Sequence, residues 1–172
     1  KVVRQVAVVA IIACGMTYVI LTGGIDLSVG SIVGFSGAFA AGALAATGNT
    51  VFAILISLLL GVACGICNGF FVSKCGIPPF IATLGMMTLL RGCILVYTKG
   101  APIPVKEDSF KFIGKGDIFG IPFPIILLII IYILAYFSLG HTKFGRSVYA
   151  LGGNKEATRL SGISVVKTEW LT

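Results

Sequence analysis

Five long apolar runs, in which Arg91 is the only charged residue, most constrain what this chain can fold into. The runs cover residues 6–22, 27–47, 51–73, 80–97 and 121–139. Each has roughly 17–23 residues, enough to cross a hydrocarbon core of about 30 Å as a helix. Only helices and closed barrels satisfy all their backbone polar groups in lipid, and a continuous apolar pattern favours helices. The sequence therefore predicts an all-α integral membrane protein with about five transmembrane helices in this chain.

The composition also indicates a membrane environment. Apolar residues make up 57% of the chain and charged residues only 11%, whereas a soluble domain carries about 25% charged residues to cover its surface. The net charge of +7 comes from basic residues that lie between the apolar runs. They form no continuous stripe, so they indicate basic loops between spans and no nucleic-acid partner.

Glycine and proline residues mark the breaks between the predicted spans. Gly23-Gly24 ends the first span, Gly48-Asn49 forms a turn, and residues 76–79 (GIPP) separate the third span from the fourth. Pro122 and Pro124 fall at the predicted start of the fifth span, where a helix tolerates proline.

Two longer polar stretches predict the orientation in the membrane. Residues 98–120 carry four Lys and three acidic residues, and residues 141–170 carry five basic residues against two acidic ones. Positive charge marks the cytoplasmic side, so we expect the second stretch inside and the 98–120 loop outside. Lys1 and Arg4 then fall outside, against the rule, which a further span upstream or a fragment boundary would explain.

The run TGGIDLSVGS, residues 22–31, places an acid between two apolar spans. Such an acid is costly unless it is capped, paired or hydrated. Two interpretations of Asp26 remain open. Either it caps the second helix, or it belongs to a broken helix whose exposed backbone lines a polar cavity, as transporters often have.

Two polar residues inside the apolar runs require partners. Asn68 predicts an interhelical hydrogen bond. Arg91 is expected to form a structural pair or to extend its head group to a membrane interface. A pair with Asp26, or a place along a pathway, is the alternative.

The cysteines raise a redox interpretation. Cys64-Gly65-Ile66-Cys67 has the C-x-x-C spacing that can lower the pKa of a thiol. The pair lies inside the third apolar run with no βαβ context, so we interpret both residues as small packing residues. The chain has one His and no zinc-ligand spacing, so the sequence predicts no metal site.

A short polar helix is predicted near the end of the chain. Asn154 suits an N-cap, Glu156 falls in the first turn, and Gly162 is a natural stop. Ala157 and Leu160 follow one side. A helix of about seven residues is unstable alone, so it must dock, either on this protein's own membrane face or in the groove of a separate cytoplasmic protein.

Three separated segments carry a resemblance to a known family. They read GGIDLSVGS (23–31), NGFFVSKCGIPPFIATLGMMTLLRG (68–92) and GRSVYALGGNKEATRLSGI (145–163). Together they resemble the membrane permeases of bacterial carbohydrate ABC importers, in order and spacing, along nearly the whole chain.

The resemblance implies a permease of roughly ten helices in the bacterial inner membrane, paired with a second permease subunit. Residues 1–172 would be its central part, with an extracytoplasmic loop at 98–120 and a cytoplasmic loop at 141–169. A periplasmic sugar-binding protein would dock outside and a cytoplasmic ATPase, which holds ATP and Mg, would dock inside. This chain would bind no cofactor and catalyse no reaction. The implied substrate is ribose or a related monosaccharide.

Two sets of site residues follow from the resemblance and the motifs. The residues expected to couple to the ATPase are Gly152, Gly153, Asn154, Glu156, Ala157, Arg159, Leu160, Ser161 and Gly162. The residues expected along the translocation path are Gly24, Asp26, Ser28, Asn68, Thr83 and Arg91.

Two alternatives belong to other classes of protein. One is a secondary transporter driven by an ion gradient through Asp26 and Arg91. The other is a membrane thiol oxidoreductase that uses Cys64 and Cys67. The chain has no Walker A pattern, so an ATP-driven process requires a partner that binds the nucleotide.

Overall fold

The structure is a computed structural model that describes residues 2–172. In chain order the elements are α1 (Val2–Leu21), α2 (Val29–Thr47), α3 (Thr50–Ser73), α4 (Pro79–Thr98), α5 (Asp108–Lys115), β1 (Asp117–Ile118), β2 (Ile121–Pro122), α6 (Phe123–His141), α7 (Lys143–Gly153), α8 (Lys155–Leu160) and α9 (Val165–Leu171).

Five of these helices, α1 to α4 and α6, are long and apolar enough to cross a membrane. They match the five apolar runs and confirm the all-α prediction. Two starts differ. Helix α1 begins at Val2, because Arg4 and Gln5 continue the helix although they interrupt the apolar run. Helix α2 begins two residues late, at Val29, because Leu27 and Ser28 are held in the preceding turn.

The breaks between spans lie where glycine and proline predict them. Gly48 ends α2 with a left-handed φ of +65°. The Asn49 side chain then caps α3 by accepting a hydrogen bond from the Phe52 amide at 3.1 Å. Pro122 directly precedes α6 and Pro124 is its second residue, positions at which the missing amide proton costs no helical hydrogen bond.

The spans pack as a group of three and a pair. Helix α2 packs against α3 and α4, and α1 runs along α6. In the first group Phe39 stacks on Tyr97 with ring centroids 4.1 Å apart. In the pair, the Tyr132 hydroxyl donates to the Ala10 carbonyl at 3.3 Å and the Tyr18 hydroxyl to the Ala135 carbonyl at 3.4 Å. Many apolar side chains of the spans stay exposed, as a lipid environment requires.

One end of the bundle carries the 98–120 stretch. The sequence indicates a polar loop there, and the structure adds α5 and a hairpin of β1 and β2, with Asp117 opposite Pro122. Arg4 Nη2 contacts both carboxylate oxygens of Asp117, at 2.8 and 2.7 Å. On α5, a hydrogen bond from Lys111 and its positive charge lower the pKa of Asp108 below its ordinary value.

The opposite end carries residues 22–28, the 74–78 connection and helices α7 to α9. Helix α7 is not among the sequence predictions. It follows α6 through Thr142, whose side chain accepts a hydrogen bond from the Gly145 amide at 3.1 Å. Its inner face buries Val148 and Leu151. The bundle therefore has two distinct polar ends, and the candidate site lies at the α7–α9 end.

Candidate functional site

Residues 22–28 form a non-helical segment between α1 and α2. The Asp26 carboxylate oxygen Oδ1 accepts hydrogen bonds from the Ser28 amide at 2.7 Å and the Ser28 hydroxyl at 2.6 Å. The N-cap position of α2 belongs to Ser28, which makes no side-chain cap bond. The interpretation of Asp26 as the N-cap is therefore wrong. Its carboxylate holds the turn before the helix, whose first backbone hydrogen bond runs from the Ile32 amide to the Ser28 carbonyl at 2.8 Å.

Side chains from two other helices hold this segment in place. The Asn68 side-chain amide on α3 donates to the Ser28 hydroxyl oxygen at 2.9 Å, which confirms the predicted interhelical hydrogen bond. On α4, Thr83 Oγ1 accepts a hydrogen bond from the Leu27 amide at 3.2 Å. These bonds satisfy backbone and hydroxyl groups that lack helical partners in the connection between α1 and α2. We call Asp26, Ser28, Asn68 and Thr83 the polar cluster.

A cavity of about 410 Å³ opens beside the polar cluster. The backbone of residues 22–26 forms one wall, and Asn68, Gly69 and Thr83 form another. The lining also includes Leu151, Lys155, Glu169 and Trp170 from α7 to α9, and apolar residues such as Val19, Val72, Ile77 and Pro78. The chain thus builds a recess with both polar and apolar lining residues at this end of the bundle. Because α1 and α2 are each long enough to span a membrane, residues 22–28 connect two spans and do not interrupt a single helix.

Two buried polar atoms next to this recess have no hydrogen-bond partner within residues 2–172. They are the Asn68 carbonyl oxygen Oδ1 and the Ser31 hydroxyl. Asn68 is 7% exposed and Ser31 is 6% exposed. An unsatisfied buried polar group costs about 1–3 kcal/mol. In the Asn68 side chain the amide nitrogen is therefore paired with Ser28, and the carbonyl oxygen is buried without a partner among the described residues.

Five of the six residues expected along the path come together. Gly24, Asp26, Asn68 and Thr83 line the cavity, and Ser28 lies fully buried behind it. Arg91 lies elsewhere. It is eight residues beyond Thr83 on α4, about 12 Å along the helix axis at about 1.5 Å per residue. Its side chain is exposed and forms no salt bridge within the described chain.

Helix α8, Lys155–Leu160, is the short helix predicted from the sequence. The Asn154 side chain caps it by accepting from the Ala157 amide at 3.0 Å. Gly162, with φ +78°, ends it. The Gly162 amide bonds to the Arg159 carbonyl and the Ile163 amide to the Thr158 carbonyl, at 3.1 and 3.3 Å, which is a Schellman ending. The predicted cap and stop are confirmed.

The faces of α8 decide which part of it is available to a partner. Glu156, Ala157, Arg159 and Leu160 are exposed, Leu160 at 87%. Thr158, which the sequence did not single out, is the buried residue of this helix, and its hydroxyl donates to the Asn154 carbonyl at 2.7 Å. The helix packs on its own protein through Thr158, and the face that carries Ala157 and Leu160 stays exposed.

Gly152 and Gly153 end α7 and precede α8. Gly152 lies against the end of α1, so close that an added Cβ would overlap the Leu21 carbonyl oxygen. An added Cβ at Gly153 would meet open space. Glycine at 152 therefore permits a close approach between two helix ends, and Gly153 has no such packing requirement.

Sequence reasoning missed the residues that α9 brings to the site. Glu169 and Trp170 line the cavity, and Glu169 forms an ion pair with Lys155 at 2.6 Å. Trp170 lies on Gly69 of α3. An acidic residue followed by a tryptophan at 169–170 is visible in the sequence. The residue that contacts Trp170 is Gly69, about a hundred positions earlier, and no spacing pattern connects the two.

The cysteines show no sign of a redox pair. Cys64 and Cys67 are both free thiols on α3, one buried and one exposed. Within residues 2–172 no group of three His, Cys, Asp or Glu side chains could hold a metal ion.

A bundle with five helices long and apolar enough to cross a membrane is the fold of a multi-pass membrane protein. Comparison with known proteins assigns it further. The chain belongs to the family described as branched-chain amino acid transport system / permease component, whose family model matches residues 1–172. The family is one of permease components of the bacterial inner membrane, and this assignment supports neither the ion-coupled nor the thiol-oxidoreductase alternative.

The chain is also similar to individual curated proteins. It is 46% identical over 171 residues to a ribose import permease protein of Escherichia coli, covering 97% of this chain and 53% of that protein. It is 44% identical to a ribose import permease protein of Bacillus subtilis, covering 96% and 52%. It is 37% identical to an L-arabinose ABC transporter permease protein of Azospirillum brasilense, covering 95% and 48%.

The chain thus spans about half the length of the curated relatives that it matches. No solved structure matches it.

Proposed function

We propose that this chain is the central part of the permease subunit of an ATP-driven importer for ribose or a related monosaccharide. The similarity to ribose and L-arabinose permeases supports the substrate class. A partner ATPase would hold ATP and Mg and hydrolyse the nucleotide, and this chain would bind no cofactor of its own.

The observation that carries the proposal is that the cavity and α8 lie at the same end of the bundle. The cavity is walled by exposed backbone and by hydroxyl, amide and carboxylate groups. Such groups can exchange hydrogen bonds with the hydroxyls of a sugar without binding it tightly. Gly24, Asp26, Ser28, Asn68 and Thr83 are therefore proposed to border the translocation path. Arg91, remote from the cavity, is not part of that site.

The exposed side of α8 is the proposed contact with the ATPase. A capped helix of six residues with an exposed Leu160 fits into a groove as a helix docks on its partner. The contact residues proposed are Gly153, Asn154, Glu156, Ala157, Arg159, Leu160, Ser161 and Gly162, with Gly152 fixing α7 against α1.

The remaining partners follow from the same proposal. The α7–α9 end would face the cytoplasm, and the α5 and hairpin end would face a periplasmic sugar-binding protein. A second permease subunit and lipid would cover the apolar side chains that the spans leave exposed.

Radiolabelled ribose uptake tests the proposal. Cells would make the complete permease that contains this chain, together with its ATPase and binding protein. The variants compared are wild type, Leu160→Asp and Leu160→Met, which keeps an apolar side chain at the contact. We expect ATP-dependent uptake in the wild type and in Leu160→Met, and loss of uptake in Leu160→Asp with normal amounts of permease in the membrane.

Each other outcome has a defined meaning. Uptake driven by a proton or sodium gradient without ATP would overturn the importer mechanism. An intact complex that transports arabinose but not ribose would keep the mechanism and change the sugar. ATP-dependent uptake that survives Leu160→Asp would remove α8 from the contact with the ATPase.

A further inference from the structure

Helix α9 connects α8 to the polar cluster through a continuous series of contacts. The first is the ion pair between Lys155, the first residue of α8, and Glu169 on α9, with Nζ and Oε1 2.6 Å apart. The Glu169 side chain is only 18% exposed. The Lys155 side chain is 62% exposed, so the pair joins the start of α8 to α9 at the edge of the solvent-accessible surface.

The second contact joins α9 to α3. An added Cβ at Gly69 would lie 2.7 Å from Trp170 Cδ1 and 3.2 Å from the Trp170 carbonyl oxygen. The indole and the backbone of α9 therefore rest directly on α3, with no side chain between them. Because interiors are close-packed, a displacement of α9 must be passed to α3 or be opposed by it.

The third contact reaches the non-helical segment. Gly69 follows Asn68 in the chain, and Asn68 donates to the Ser28 hydroxyl, which in turn donates to Asp26. Lys155, Glu169 and Trp170 also line the same cavity as Asp26 and Asn68. One ion pair and one packed contact thus connect α8 to Gly69, the neighbour of Asn68 in the polar cluster.

We propose that α9 transmits the movement of α8 to residues 22–28, with Lys155, Glu169 and Trp170 as positioning residues for coupling. This inference rests on the proposed function, because it assumes that α8 moves when the ATPase does. A nucleotide state that shifts α8 would change the width of the cavity through α9. The role differs from that of Leu160, which would contact the ATPase itself.

A charge exchange tests the ion pair. Complete permease, ATPase and binding protein would be reconstituted in lipid vesicles, and the sugar transported per ATP hydrolysed would be measured. We expect Lys155→Glu alone and Glu169→Lys alone to lower this ratio about fivefold or more, the lower range of typical coupling between sites. The double exchange, Lys155→Glu with Glu169→Lys, should restore most of it. Lys167→Glu is the matched control and should leave the ratio unchanged. Lys167 lies on α9, as Glu169 does, but forms no ion pair within the described residues.

A glycine pair on α3 tests the Trp170 contact independently. Gly69→Ala should lower the transport ratio, because its methyl group displaces Trp170. Gly61→Ala, about two turns earlier on α3 and not among the cavity-lining residues, meets no atom within 4 Å and should not.

The outcomes separate the two proposals. A wild-type complex without ATP-driven uptake would overturn the proposed function and this inference together. A wild-type complex that transports normally, with an unchanged ratio in both single charge variants and in Gly69→Ala, would overturn the role of α9 alone. A lowered ratio that the double exchange does not restore would also count against it, since the ion pair would then not be the connection.

Discussion

The side-chain amide of Asn68 on α3 donates a 2.9 Å hydrogen bond to the hydroxyl of Ser28, forty residues earlier in the chain and fully buried. The Ser28 hydroxyl in turn donates a hydrogen bond to the Asp26 carboxylate at 2.6 Å. This bond fastens a non-helical segment to a membrane span. It also explains how an acid is tolerated there, since its carboxylate is hydrogen-bonded and borders a cavity instead of lipid.

Replacing Asn68 with Ala should destabilise the permease by about 1 kcal/mol, within the range measured for hydrogen bonds between membrane helices. The reason is that Ser28 and Asp26 lose the donor that holds them to α3. Unfolding of the detergent-solubilised permease would measure this change. Cys67→Ala is the control, because Cys67 is the adjacent exposed residue. Equal stability of the two variants would show that the Asn68 bond does not hold the segment.

Gly152 and Gly153 offer a second stability test with a built-in control. Gly152→Ala should cost about 1–3 kcal/mol, the usual range for overpacking, because the new methyl group overlaps the Leu21 carbonyl oxygen. Gly153→Ala meets open space and should be neutral or slightly stabilising. Thermal unfolding of both variants gives the comparison. A Gly152→Ala variant as stable as wild type would mean that α7 and the end of α1 are not held this closely.

Cys75 and Ser109 lie at opposite ends of the bundle, so thiol labelling at these two positions tests which end faces the outside of the membrane. Cys75 is exposed in the connection between α3 and α4, at the α7–α9 end. Ser109 is exposed on α5 at the other end, and Ser109→Cys changes one atom. In intact cells we expect a membrane-impermeant thiol reagent to label Ser109→Cys and to reach Cys75 only after permeabilisation. Cys75→Ser provides the background. Labelling of Cys75 in intact cells would reverse the proposed orientation.

The sequence predicted most of the fold because membrane spans depend on local signals. Apolar length, the Gly48-Asn49 turn and the prolines around 122 each act within a few residues, and the structure confirms them. Arg4 shows where such signals fail. The alternation of spans places Arg4 on the outer side, which positive charge usually avoids. The structure supplies a reason that no local pattern shows: Arg4 contacts Asp117, which is 113 residues away in the sequence.

The site was less predictable for the same reason. Asn68, Asp26 and Thr83 could be singled out as polar residues in or next to apolar runs, but which of them meet depends on how the helices pack. Arg91 satisfied the same sequence criterion and lies elsewhere. Glu169 and Trp170 carry no local motif, and they reach the cavity only because Gly69 leaves space for an indole on α3.

Substitutions on the exposed and the buried face of α8 should have different effects, one on binding of the ATPase and the other on the stability of the permease. Glu156→Arg and Arg159→Glu change exposed residues, so they should weaken binding of the ATPase and lower ATP-driven uptake without changing the unfolding temperature of the permease. Thr158→Ala should do the opposite. It removes the buried hydroxyl that bonds to the Asn154 carbonyl at 2.7 Å, at a cost of about 1 kcal/mol, and leaves the exposed face intact. Co-purification of the ATPase and thermal unfolding, measured on the same samples, distinguish the two effects. If Thr158→Ala released the ATPase at unchanged stability while the charge variants kept it bound, the docking face would be on the other side of the helix.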